Sequence, residues 1–196
     1  MRSLKQNIIC LLTVLLVCGC ASIFHRQATP DISKSITKKI AVMPVKNQTA
    51  DATTGPMLRE KIISELYFKG YPKIAAKIID EKLSSTYGKS MKFKEGDVPL
   101  SSVGEQLGAD AILYCTLNQL KTSYKLVYAP TVVSVSLELK SLKTGETLWK
   151  NKYETVKRCY GITKKQLEVE TIQIYELTLQ EVLEKVMETL PDGPNI

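Results

Sequence analysis

Two hydrophobic periods alternate along the chain, and each change of period marks an element. Ile40 to Val45 is a short apolar run and predicts a first strand, with Pro44 at a sheet edge or near the strand's end. Asn47 to Gly55 is polar and loop-like. Pro56 suits the first turn of a helix. After it Met57, Leu58, Ile62, Ile63, Leu66 and Tyr67 recur at steps of three and four, which makes one helical face apolar. Gly70 stops that helix. Tyr71 to Ala75 predicts a weak second strand and Ile79 to Tyr87 a short helix. Gly88 to Asp97 reads as a basic loop, and Pro99 to Leu107 as a further helix closed by Gly108.

The strongest β signal follows. Ala111 to Leu117 is almost continuously apolar, as a central strand buried on both faces should be. Thr131 to Leu142 alternates, with Val133, Val135, Leu137 and Leu139 on one face and Ser134, Ser136, Glu138 and Lys140 on the other. Lys143-Thr144-Gly145 is a turn, and Glu146 to Thr155 returns as the second strand of a hairpin. Ile172, Tyr175, Leu179, Val182, Val186 and Leu190 then draw one stripe along a long C-terminal helix, ended by Pro191, Asp192 and Gly193. These elements predict an α/β (α+β) domain over 38–196, a mixed parallel and antiparallel sheet with helices packed on it.

The first 37 residues belong to no such pattern. Arg2 and Lys5 precede an apolar run from Ile8 to Val17, too short to span a bilayer, which needs about 20 residues, but of export-signal length. The run ends in Val17-Cys18-Gly19-Cys20, which resembles the lipobox of bacterial lipoproteins. The resemblance implies cleavage of a signal over 1–19, with diacylglycerol on the Cys20 thiol and an acyl chain on its new amine. Several chains on one residue hold a protein stably where one does not. No other cofactor is expected. Ala21 is similar to the sorting residue of outer-membrane lipoproteins. Residues 20–37, polar and interrupted by Pro30, read as a lipidated tether.

Composition sharpens this picture. The 196 residues are 44% hydrophobic and 24% charged, which is globular. The chain has net charge +7, but from Leu167 onward seven acids face one base, Lys185. The basic remainder suits a solvated lysine-rich surface, or an anionic lipid, glycan or acidic partner; an envelope location argues against nucleic acid. After processing, Cys115 and Cys159 remain as candidates for a disulfide, which an oxidising compartment permits.

Three stretches also resemble a known family in their order and spacing: Lys39-Ile-Ala-Val-Met-Pro-Val45, Gly108-Ala-Asp-Ala-Ile-Leu-Tyr114, and Leu142-Lys-Thr-Gly-Glu-Thr-Leu-Trp149. With the lipobox, they resemble the bacterial lipoprotein family that includes a meningococcal lipoprotein vaccine candidate. The resemblance implies a fold similar to the N-terminal domain of TolB and to the periplasmic part of the curli-secretion lipoprotein CsgG. It also implies a CsgG-like lipoprotein as neighbour and partner. It transfers no catalytic residue, only the lipidated Cys20.

Enzyme chemistry is not indicated. The chain has one histidine, His25, and it falls in the tether, away from any scaffold that would hold a nucleophile–base pair. There is no zinc spacing, and Gly104 and Gly108 lack the Lys-Ser/Thr of a phosphate loop. Glu168 with Glu170 and Glu181 with Glu184 read as a solvated helix face. The aromatic residues are the remaining candidates: Trp149 and Tyr153 share a strand face, and Tyr124 and Tyr128 flank the preceding segment. The pattern allows either an exposed partner surface or packing beneath a helix. The expectation is a non-enzymatic, outer-membrane-anchored periplasmic lipoprotein, an accessory or scaffold of an envelope assembly such as a CsgG-like export system, with a homo-oligomer as a further expectation. The alternative is a regulator of peptidoglycan synthesis that activates penicillin-binding proteins.

Overall fold

The structure, a computed structural model, describes residues 38–87 and 100–194. The leader, Cys20, the tether with His25, and the loop expected over 88–97 lie outside the described residues. The elements are β1 (Ile40–Val42), β2 (Lys46–Asn47), α1 (Thr54–Phe68), α2 (Ala76–Tyr87), α3 (Leu100–Leu107), β3 (Ala111–Thr122), β4 (Tyr128–Ser141), β5 (Thr147–Tyr160) and α4 (Lys164–Met187). The strands form one sheet in the order β1-β3-β4-β5, with β2 also paired to β3. β1 and β2 run parallel to β3, while β3–β4 and β4–β5 are antiparallel. The mixed sheet read from the sequence is therefore present.

Pro44 divides the expected first strand in two. It has no N–H for the ladder, so the Met43 N–H bonds Leu113 O at 3.0 Å and the ladder resumes with the Gln48 N–H on Leu117 O. The sheet has two cores. On one face α1 and α4 cover it, burying Leu58, Ile62, Leu113, Val135, Leu179 and Val182. On the other, near β1 only, Ile79 and Leu83 of α2 and Leu107 of α3 pack on Ala41, Met43 and Ile112. All these residues lie between Ile40 and Leu190, so the body over 38–196 has its own core.

Polar contacts fix β1 at both ends. The Asp110 carboxylate accepts from the backbone N–H groups of Lys38 and Lys39 at 2.9 and 2.8 Å. At the other end, buried Arg59 donates from Nε and Nη2 to Val42 O, at 3.0 and 2.9 Å. Its Nη1 meets both Asp80 oxygens at 2.8 Å. One planar guanidinium thus joins α1, β1 and α2, a geometry lysine cannot supply.

Two sequence expectations change. Tyr71 to Ala75 is not a strand. Its polar groups are committed elsewhere: Tyr71 N–H bonds Leu66 O, Tyr71 Oη bonds Pro191 O, and Pro72 has no donor. The C-terminal segment crosses here. Gly193 N–H bonds Lys69 O, and a Cβ at Gly193 would sit 2.6 Å from the Gly70 carbonyl, so only glycine fits. Second, Ile172 does not lie on the buried stripe of α4, which begins at Lys164. Thr163 and Gln166 form a capping box there. Ile172 itself is 74% exposed, while Leu167, Thr171 and Thr178 are buried on either side of it. Thr171 and Thr178 satisfy their hydroxyls on Glu168 O and Ile174 O.

Among the described residues β5 pairs with β4 alone and leaves a long open edge. Lys150, Lys152, Glu154 and Arg158 project from its exposed face, and the Lys152 N–H is taken by its own neighbour, Asn151 Oδ1, at 2.9 Å. Charges on a long edge oppose unwanted strand pairing.

Replacing Arg59 with Met leaves the Val42 carbonyl buried without a donor and should cost about 2–3 kcal/mol. Asp80→Asn should cost under about 1 kcal/mol, because the Asp80 side chain is 51% exposed. Thermal unfolding by circular dichroism checks the ranking; equal losses would show that the ion pair, not the carbonyl cap, matters.

Candidate functional site

The four aromatic candidates do not form one surface. Trp149 is 2% exposed. It faces α4, with its Nε1 donating to Thr189 Oγ1 at 3.1 Å, and Asn151 beside it donates to Val186 O at 2.8 Å. The partner-surface expectation for Trp149 is therefore corrected: a long helix needs a large apolar anchor here, and burial of one indole is worth on the order of 5 kcal/mol. Tyr153 shares this covered face and packs against the larger core. Tyr124 and Tyr128 lie at the opposite end of the sheet, beyond β3 and at the start of β4.

Cys115 and Cys159 are both free and buried. They sit on β3 and β5, on opposite sides of β4, facing Leu137 and Ala129. Those partners are eight residues apart on one strand, roughly 26 Å, so the disulfide expected as a candidate does not form. Burial pushes both thiols up, and the charge of Glu170 adds to this at Cys159. The carboxylate pairs are surface ion pairs: Glu181 meets Lys157 at 2.5 Å and Glu168 meets Lys164 at 3.6 Å. Among the described residues no group of three or more His, Cys, Asp and Glu could hold a metal ion.

One polar cluster lies where the loop before α1 meets α4. Asp51 accepts from the Thr53 N–H and the Thr53 and Thr54 hydroxyls, at 2.8, 2.7 and 2.5 Å. Tyr175 Oη bonds Thr54 Oγ1 and reaches Asp51 at 3.4 Å. The Thr54 hydroxyl, then Thr53, hold the Asp51 carboxyl down to a pKa of about 2. Burial pushes Tyr175 up, and the Asp51 charge adds to this. The cluster anchors α1 to α4 with an anion ahead of the α1 N-terminus, where the helix dipole favours it.

The far end of the sheet is different in kind. Two turns meet there: the β3–β4 connection, 123–127, and the β5–α4 connection, 161–163. They are joined by Gly161 N–H on Val127 O at 3.0 Å, and the Tyr128 and Tyr160 rings lie 6.4 Å apart. Tyr124 leans on α4 through Thr171. Leu126 is 91% exposed, Ile162 88%, Tyr160 69% and Val127 52%. The sequence singled out the tyrosines of this end but not Leu126 or Ile162. The available signal was an aliphatic residue inside each polar turn, flanked by lysine and tyrosine.

This is the α/β fold of a bacterial lipoprotein domain. The chain belongs to the family described as "Putative lipoprotein GNA1162-like", whose model matches residues 30–194. It is similar in fold to the lipoprotein GNA1162 from Neisseria meningitidis, at 21% identity and a TM-score of 0.54, over 71% of this chain and 96% of that one. It is likewise similar to the hypothetical protein CT253 from Chlamydia trachomatis, at 10% identity and a TM-score of 0.50, over 78% and 94%. The LpoB C-terminal domain from Escherichia coli aligns at 15% identity over 61% and 84%, with a TM-score of 0.46, too low to bear on function. No curated protein sequence matches the chain.

Two outcomes are expected of this geometry. Asp51 is more acidic folded than unfolded, so its contribution is complete above about pH 4 and is lost as pH falls through about 2. Urea unfolding at about pH 6 and about pH 2.5 should show a smaller pH difference for Asp51→Asn than for wild type; an unchanged difference rules the cluster out as the source. Both thiols of the body should resist a water-soluble thiol reagent until denaturant is added, whereas immediate labelling of either would contradict its burial.

Proposed function

We propose that this chain is a lipid-anchored envelope protein without enzymatic activity, held through acylated Cys20 to the outer membrane. In this reading residues 1–19 are a cleaved signal, 20–37 a tether, and 38–196 a periplasmic body that acts as an accessory or scaffold of an envelope assembly. The observation that supports it best is the conjunction of family and leader: a lipoprotein-family body follows a lipobox at Val17–Cys20. A CsgG-like export lipoprotein is the partner favoured by the family resemblance, and self-association is compatible with it.

The geometry suits a tethered body. The described chain starts at Lys38, beside Asp110 and the first residues of β3, so the tether leaves one narrow end of the sheet. Its 17 residues after Cys20 reach at most about 60 Å.

Metabolic labelling with palmitate should mark the wild-type chain and not Cys20→Ala, which should leave the membrane fraction. Affinity purification from detergent-solubilised envelopes should then recover an export-system lipoprotein with wild type only. Recovery of a penicillin-binding protein would transfer the reading to regulation of peptidoglycan synthesis, and labelling of the Cys20→Ala chain would remove the anchor.

A further inference from the structure

We propose that the far end of the sheet, where the 123–127 and 161–163 turns meet, docks peripherally on a bilayer surface bearing anionic headgroups. This goes beyond covalent anchoring and does not need it, because the contact belongs to the folded body.

Three observations converge. The first is apolar exposure at the tip. Leu126 and Ile162 stand almost wholly in solvent, and Val127 and Tyr160 are exposed beside them. Isolated exposed aliphatics are ordinary on a surface. Three large apolar side chains on two adjoining turns, with Tyr160 at the end of β5, are a patch, and such patches mark interaction sites. Tyr128 and Tyr160 add amphipathic rings, of the kind that settles at headgroup level, while the Tyr124 hydroxyl is engaged by Thr171.

The second is charge. Lys121, Lys125, Arg158, Lys164 and Lys165 surround the patch, all exposed. Residues 121–130 and 156–167 contain no acid. The nearest acids on α4 are Glu168 and Glu170, one to two turns on, and Glu168 is paired with Lys164. The α4 N-terminus also directs the positive end of its dipole toward the tip. An apolar surface ringed by bases, with Glu168 paired to Lys164 and Glu170 near Cys159 on the α4 side, complements anionic lipid, to which each base adds attraction within a Debye length.

The third separates a lipid surface from a protein partner. Four of the five bases are lysine, which protein interfaces deplete, whereas arginine is enriched there. Lysine stems lie along apolar surface while the ammonium reaches the phosphates.

Position completes the argument. β1 runs parallel to β3 from Ile40 opposite Ala111, and the tip follows Thr122, eleven residues on, roughly 36 Å away. The tether is long enough to run the length of the body, so tip and anchor can meet the same bilayer; the tip can equally meet a facing one.

The test uses the body 38–196, which has its own core and no acyl chain, with vesicles of phosphatidylglycerol or phosphatidylcholine. Co-sedimentation should favour phosphatidylglycerol. It should weaken steeply as ionic strength rises from about 0.01 to about 1 M, which shortens the Debye length from roughly 30 to 3 Å. Leu126→Glu with Ile162→Glu should lower vesicle binding at least about tenfold, and Lys125→Glu with Lys165→Glu should abolish the lipid preference. These positions are exposed, so thermal unfolding should be unchanged and separates lost docking from lost fold. Absence of vesicle binding, equal binding to both lipids, or binding indifferent to the Leu126 and Ile162 changes each overturns the proposal. So does capture of an envelope protein through Leu126 and Ile162 without vesicle binding. None of these results touches Cys20, which the body lacks, so failure here is distinguishable from failure of the anchor.

Discussion

The register of β1 on β3 is the constraint from which the two cores follow. Ala111, Leu113, Cys115 and Leu117 point into the core beneath α1 and α4, while Ile112 points into the smaller one beneath α2 and α3. Ile40 and Val42 join the first set and Ala41 the second, because each sits opposite a β3 residue of the same face. A slip of one residue would exchange the sets and bury the wrong faces. Three residues of strand are too few to hold that register by ladder bonds alone. Asp110 on the backbone of Lys38 and Lys39, and Arg59 on Val42 O, clamp it from both ends.

Where one face of an element was apolar and the other polar, the sequence was sufficient. The alternation from Val133 to Lys140 located β4, and Gly145, at φ 76°, is the pivot of the β4–β5 turn as read. Trp149 shows the limit. Alternation says that Trp149, Asn151 and Tyr153 share a face; it does not say which face α4 covers, a property of tertiary packing. The buried stripe of α4 was misplaced for a related reason. Its first buried positions are Leu167, Thr171 and Thr178, and threonine is apolar only where its hydroxyl bonds the preceding turn. A stripe sought in aliphatic residues picked Ile172, which is solvent-facing, and passed over the capping box at Thr163 and Gln166. The weak strand at Tyr71 failed because a strand needs an unpaired neighbour, and the end of α1 and the C-terminal segment had claimed that backbone.

The candidate site was legible only in part. Cys20 was singled out by its resemblance to a lipobox and lies outside the described residues. The disulfide pair could not be judged in one dimension, because β4 runs between the two thiols. The tip is legible only once two turns, separated by more than thirty residues, are known to touch. Lys121 and Lys165 look like members of a dispersed basic background in the sequence, and the fold gathers them around Leu126 and Ile162. The acidic character of α4, obvious in composition, turns out to be shared out: Glu176 meets Lys61 on α1, Glu181 meets Lys157 on β5, and Glu188 meets Lys185.

The crossing of Gly193 over Gly70 also governs the order in which the chain can mature. Leu179, Val182, Val186 and Leu190 supply one wall of the larger core, and the Gly193 bond to Lys69 closes a loop of over one hundred residues. A nascent chain emerging from the ribosome holds the sheet's strands long before it holds that wall. Partial bodies therefore stay loose, since non-local contacts carry their closure entropy before they return any stability. Delay of this kind is useful to a polypeptide threaded through a narrow translocation channel, which admits extended chain and refuses folded domains. The glycine pair can close only once the C-terminal segment is present.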